Sequence, residues 1–295
     1  MDMNNYIILH PKFIKSRKKL QKVFVFDFDE TLGSFGDLYY LWTAIVNKTN
    51  NSNFQLFKSI MDLYPEFLRY GILVILEFIY YKKKQGKCHK IFLYTNNKCT
   101  NDLVNMVIQY ISSKIPNIIN DIPLFDKIIY AFKINNKVIE IDRTTNKKTY
   151  DDLIKCTILS KNTEICFMDD TYHSNMIHNK IYYIQPRPYY HGLSKKMILF
   201  RLSLSKLLKY EIYNEIEKKF NTLYINDFLK TENDKKIDIL ISQKIMYYTK
   251  EFFYIINSQT KTHKKTSKIG KFTRKIKITR NINSYDLPEH SILIE

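Results

Sequence analysis

Apolar runs of four residues, each stopping at a polar cluster, set the rhythm of the first two thirds of the chain. Val23-Phe24-Val25-Phe26 stops at Asp27, Ile91-Phe92-Leu93-Tyr94 at Thr95-Asn96-Asn97, and Ile165-Cys166-Phe167-Met168 at Asp169-Asp170. Short, uncharged and rich in β-branched and aromatic residues, such runs predict strands buried on both faces. Residues 23–27 form the first strand; Phe125 to Phe132 and Ile181-Tyr182-Tyr183-Ile184 read as two more. Between the runs the apolar period lengthens to that of a helix. Ile72, Ile75, Leu76 and Ile79 mark a helix over Gly71 to Lys83, and Leu103, Met106, Val107, Tyr110 and Ile111 mark another over Asn101 to Lys114. A short helix falls near Tyr150–Cys156. The aromatic-rich stretch Gly33 to Phe57 reads as a flap and a helix, and the polar residues 133–148 as a hairpin or loop.

Strands alternating with helices predict an α/β fold with a parallel sheet covered on both faces. After Pro188 the alternation stops. Residues 193–229 and 231–256 read as amphipathic helices, the second carrying Ile237, Ile241, Ile245, Tyr248 and Phe252 on one face. Thr231 with Asp234 three residues later resembles a capping box in which Asp replaces Glu. The chain thus divides into a basic arm (1–22), a core domain (23–192), a helical extension (193–258) and a basic tail (259–295), with no internal repeat.

In a parallel sheet the polar ends of the three runs gather on one edge, where open α/β folds bind ligands. Asp27 and Asp29, spaced i, i+2, leave their strand on one side. Carboxylates this close repel unless a cation lies between them or one keeps a proton. A solvated turn would explain one Asp-x-Asp. Three polar strand ends converging on one edge favour a site.

Composition adds a partner question. The net charge is +18, and the flanks carry much of it: residues 1–22 hold six basic side chains against one acid, and residues 259–295 hold nine against three. Such flanks can steer or tether an acidic partner, although a chain rich in Lys, Asn, Ile and Tyr acquires basic flanks without selection for binding. Four cysteines (Cys88, Cys99, Cys156, Cys166) without a CxxC pair read as reduced thiols. No leader-like segment opens the chain and the stretch Tyr70 to Tyr81 is too short to span a bilayer, so an intracellular, non-membrane protein is expected. His173, His178 and His191 lack metal-ligand spacing and read as solvated or hydrogen-bonded. Tyr189-Tyr190-His191 suits either the mouth of the site or packing. Nothing in the pattern fixes an oligomeric state.

Asp-x-Asp-x-Thr after one strand, Thr after a second, a lysine before a helix and Asp-Asp after a third together resemble the motif set of the haloacid dehalogenase superfamily. Asp27-Phe28-Asp29-Glu30-Thr31-Leu32 is similar to the branch holding the RNA polymerase C-terminal-domain phosphatases and the NLI-interacting-factor-like phosphatases, and Arg69-Tyr70-Gly71 stands where that branch has Arg-Pro-Gly. The resemblance covers about residues 22–190. It implies a Rossmann-like core with a small or absent cap. It further implies Asp27 as nucleophile, Asp29 as general acid/base, Thr95 and a lysine as phosphate-side catalytic groups, and Thr31, Asn96 and Lys147 at the substrate. A Mg²⁺ site would be completed by Asp27, the Asp29 carbonyl, and Asp170 with Asp169 beside it. The lysine is a departure, because Asp151 rather than Lys precedes Asp152-Leu153. Lys148 is preferred, with Lys147 and Lys155 as rivals. Asn96 and Asn97 replace small residues after Thr95.

The resemblance implies a Mg²⁺-dependent phosphatase, first of phosphoserine or phosphothreonine in a phosphorylated protein or other acidic macromolecule. A polynucleotide phosphatase, holding DNA or RNA through the basic flanks, is the second reading. A non-catalytic binding protein is the third, disfavoured by the intact Asp27 and Asp29.

Overall fold

A computed structural model describes residues 6–16, 20–98, 101–116, 118, 121–222 and 229–254. The basic tail, Arg17 to Lys19 of the arm and Cys99 lie outside the described residues. Five strands run parallel in one six-stranded sheet: β2 (Lys22–Phe26), β3 (Lys90–Tyr94), β4 (Lys127–Ile129), β7 (Glu164–Met168) and β8 (Ile181–Pro186). β1 (Ile7–His10) closes one edge antiparallel to β8, giving the order β1-β8-β7-β2-β3-β4. The chain is therefore α/β with a mostly parallel sheet. β1 falls in the stretch read as a basic arm. Its three apolar residues, Ile7, Ile8 and Leu9, lie beside the lysines that dominated that reading.

Strand alternation divides the core. Phe24 and Phe26 of β2 point to one face with Ile91, Leu93, Cys166 and Met168, while Val23 and Val25 point to the other with Phe92, Tyr94, Ile165 and Phe167. The second face is covered by α5 (Tyr150–Thr157), through Leu153 and Cys156, and by Met176. The first face is larger. Its cluster takes residues from α1 (Gly36–Thr49), α2 (Phe54–Leu63), α3 (Ile72–Lys84) and α4 (Asn101–Lys114). It also takes residues from α6 (Lys195–Ser205), α7 (Tyr210–Thr222) and α8 (Glu232–Tyr254). The helices after residue 193 thus share the main core.

Several further elements differ from the sequence reading. The described residues within 193–229 form two helices, α6 and α7, because Lys206 takes a left-handed conformation (φ 53°) that ends α6. The stretch between β2 and α3 holds α2 as well as α1, started by Asn53, whose side chain accepts the Leu56 N–H at 2.8 Å. The third strand is shorter than expected, and 133–138 forms the hairpin of β5 (Lys133–Ile134) and β6 (Lys137–Val138). The capping box of α8 is present: Thr231 Oγ1 accepts the Asp234 N–H at 3.1 Å and Asp234 Oδ2 accepts the Thr231 N–H at 3.0 Å. Cys88, Cys156 and Cys166 are free and buried, and burial pushes their thiols up, Cys88 to about 12. Among the described residues no helix is long and apolar enough to cross a membrane.

At the amino end of β7, Glu164 is 1% exposed. Its carboxylate accepts the Ser16 N–H at 3.0 Å and meets Lys22 at 3.2 Å and Lys15 at 3.3 Å. Burial opposes its ionisation, but these donors hold it below the usual carboxylate range. A carboxyl lowered on folding adds stability above its unfolded pKa and loses it as pH falls through the folded value. In urea unfolding, Glu164→Gln is expected to cost about 1–3 kcal/mol near neutrality. That gap should close as pH falls below about 4; a gap independent of pH would contradict the ionised pair.

Candidate active site

Each motif residue takes one further ladder bond as its strand ends: Asp27 N–H to Met168 O at 2.9 Å, Thr95 N–H to Ile129 O at 2.9 Å, and Asp169 N–H to Ile184 O at 3.2 Å. The ladder therefore fixes where Asp27, Thr95 and Asp169 emerge on the carboxyl edge. From β2 the chain builds outward first to β3 and β4, then reverses to β7 and β8. The crevice at such a reversal is the usual ligand position in open α/β sheets, and here Asp27 and Asp169 flank it.

The loop after β2 is held from below by Arg69, which is 3% exposed. Its Nε donates to Thr31 O at 2.7 Å, and its Nη2 donates to Glu30 O and to Arg187 O. Burial lowers this guanidinium to about 10. Glu30 sits in the left-handed region (φ 52°), a conformation that is sterically costly outside glycine. Three hydrogen bonds to the carbonyls of Glu30, Thr31 and Arg187 keep this turn in place. Thr31 Oγ1 donates to Asp170 Oδ1 at 2.9 Å and accepts the Asp170 N–H at 3.0 Å, locking the first loop to the last.

Lys148, 2% exposed, places its ammonium between Asp27 Oδ1 and Asp169 Oδ2, the latter at 2.6 Å. Asp169 also meets His173 Nε2 at 3.1 Å and accepts the Thr171 N–H at 2.9 Å. Asp27, Asp169 and Asp170 offer oxygens within 4.8 Å of one another, all three residues buried. Burial raises the Asp27 carboxyl well above its ordinary value against the pull of Lys148. Burial and neighbouring Asp169 raise Asp170. Asp169 is lowered: burial opposes this, and Lys148 and His173 overcome it. Lys148 is likewise raised, its two carboxylates outweighing burial. One ammonium stands among three carboxyl groups, and an oxygen of each lies close enough to the others to meet one ion. This donor set suits a hard cation, so the cluster could hold a metal ion.

Lys148 is the lysine that reaches the acids. Lys147 is exposed and joins the described network through its backbone, and Lys155 is exposed on α5. Asp29 stands outside the cluster. Its Oδ2 accepts from Asn97 Nδ2 at 2.7 Å, and burial raises its carboxyl although that hydrogen bond opposes the shift. Thr95 is fully buried, and its Oγ1 accepts the Asn97 N–H at 2.9 Å. Thr31, expected at the substrate, is fully buried with its hydroxyl committed to Asp170. Asn96 is exposed with its amide oxygen held by Arg143 Nη2 at 2.8 Å. His191 lies away from these acids, with Nε2 at 3.0 Å from Asp37.

The sequence reading misses Arg143 and takes Asn97 only as replacing a small residue after Thr95. Arg143, 2% exposed, donates through Nη1 to Thr95 O and Tyr130 O and through Nη2 to Asn96 Oδ1 and the carbonyls of Asn146 and Lys147. It ties the Thr95 loop to the Lys148 loop. Nothing in a polar loop marks one arginine for burial. The sequence reading of Asn97 does not extend to its contact with Asp29.

No family model, curated protein or solved structure matches the chain. A divalent cation is expected to raise the melting temperature, with about 2.7 kcal/mol of stabilisation at a hundredfold excess over Kd, and Asp170→Asn should remove most of the shift. A thermal scan with and without MgCl₂ or MnCl₂ measures it; no shift in the wild type would contradict the metal assignment.

Proposed function

We propose that this chain is a phosphomonoesterase of the haloacid dehalogenase type, using Mg²⁺ and an aspartyl-phosphate to hydrolyse phosphoserine or phosphothreonine in a protein. One observation carries the reading. Asp27, Lys148 and the Asp169-Asp170 pair, from separate segments, meet in one buried cluster at the carboxyl edge.

Each residue has a chemical task in this reading. Asp27 attacks phosphorus through a carboxylate oxygen, forming a P–O bond as the bond to the leaving oxygen breaks. Asp29, whose carboxyl burial raises, gives its proton to that oxygen and then takes one from the water that hydrolyses the acyl phosphate. Asn97 orients Asp29. Thr95 accepts from the Asn97 N–H and so has its own proton to donate to a phosphoryl oxygen. Lys148 stays charged between the acids and offsets charge on the nucleophile and the transferring group. Mg²⁺, held by Asp27 and Asp170 with Asp169 nearby, would supply further neutralisation of phosphoryl charge. α1 to α3, between the first two motifs, pack into the core, which supports a site without a large cap and hence a macromolecular substrate.

Purified protein with Mg²⁺ is expected to hydrolyse an aryl phosphate, and Asp27→Asn to lower kcat by at least about a thousandfold. Equal rates in both would leave only the binding-protein reading. Phosphopeptides should be turned over faster than 3′-phosphorylated oligonucleotides; the reverse order would replace the protein substrate with a nucleic acid.

A further inference from the structure

A second charged feature lies at the opposite edge of the sheet. Below the amino ends of β2 and β3 is a cavity of about 810 Å³ lined by Lys15, Lys22, Lys83, Lys87, His89 and Tyr254, among others. Strand β2 separates it from Asp27, and five residues at about 3.3 Å each put the two sites roughly 17 Å apart.

The charges in this cavity do not balance. Lys15 and Lys22 share a single carboxylate oxygen, Glu164 Oε2, at 3.3 and 3.2 Å. Lys83 is paired with Asp126 at 2.6 Å, and Lys87 is exposed at the rim. Four ammonium groups thus face two carboxylates, with His89 beside them. Two neighbouring groups register the field. Lys22 is pushed down to about 8 by burial, with Lys15 adding to the shift against Glu164. The Tyr254 phenol is lowered by the hydrogen bond from Lys82 and by the charges of Lys82, Lys87 and Lys250. Two ammonium groups on one carboxylate repel each other, and an added anion between them relieves that repulsion.

We propose that this cleft is a second, non-catalytic anion site that takes a phosphate group. Its lysines line one cavity, with Lys15 and Lys22 on one carboxylate oxygen and Lys87 exposed at the rim, an arrangement that suits a single phosphoryl group better than an extended nucleic-acid backbone. Compact lysine ammonium groups bind such a group as point charges. The phosphoryl group could come from a phosphorylated protein side chain or from a free phosphate compound. The site stands whether or not the chain is a phosphatase.

Calorimetric titration of the full-length protein with pyrophosphate in EDTA tests it, since without a cation the carboxylate cluster at the other edge repels the probe. Saturable one-to-one binding is expected, weakened roughly fivefold or more by Lys87→Glu and by Lys15→Gln. Lys196→Glu, the same charge reversal as Lys87→Glu but placed on exposed α6, should change it by less than about twofold. Titrating a phosphoserine peptide and a mononucleotide in parallel identifies the source, and saturable binding of either with the same variant pattern supports the site. Absence of saturable binding, or equal loss in all three variants, would overturn it, as would oligonucleotide affinity that grows with length and ignores the position of the charge change.

Discussion

The Lys148 ammonium, wedged between Asp27 and Asp169, is the contact on which the candidate site depends. At 4 Å and an effective dielectric of 20, a like-charge pair costs about 4 kcal/mol. Three carboxylates held within 4.8 Å of one another therefore cannot all ionise without cations among them. Lys148 covers two of them. Asp170 is left with hydroxyl and backbone partners, and burial and the charge of Asp169 raise its carboxyl.

The rest of the fold keeps these groups from moving apart. Parallel pairing of β2 with β7 sets Asp27 and Asp169 at adjacent strand ends, and the Thr31–Asp170 hydrogen bonds join the loops that follow. Two buried arginines complete the frame. Arg69 binds the carbonyls of the first loop and Arg143 those of the second and third, and among the described residues neither pairs with a carboxylate. Each arginine uses most of its hydrogen bonds on backbone carbonyls and so holds loop geometry, while the charge of Arg69 also favours ionised Asp170 from a distance.

Local signals made much of this legible. The runs at residues 23, 91 and 165 lie in adjacent parallel strands because uninterrupted apolar segments have few alternatives to a doubly covered sheet. Asp27, Asp169 and Asp170 were recoverable because a strand end leaves little freedom in where the next residue emerges. Lys148 was harder to separate from Lys147, since its burial follows from the path of a loop and not from any periodicity. The burial of Arg143 and the bond of Thr31 to Asp170 were hidden for the same reason: tertiary approach decides which groups a loop side chain meets. β1 was hidden because three apolar residues carry no period and the lysines from Lys12 onward dominated the reading of its segment. The division at Lys206 was hidden because a single left-handed residue needs no glycine or proline to mark it.

The central claim is that carboxylates from two strand ends share one cation. Anomalous diffraction from crystals grown with Mn²⁺ addresses it directly. A single peak should lie about 2.0–2.3 Å from oxygens of Asp27 and Asp170, the spacing of a hard cation on carboxylates. A peak elsewhere, or Asp27 and Asp170 too far apart to share one ion, would contradict it.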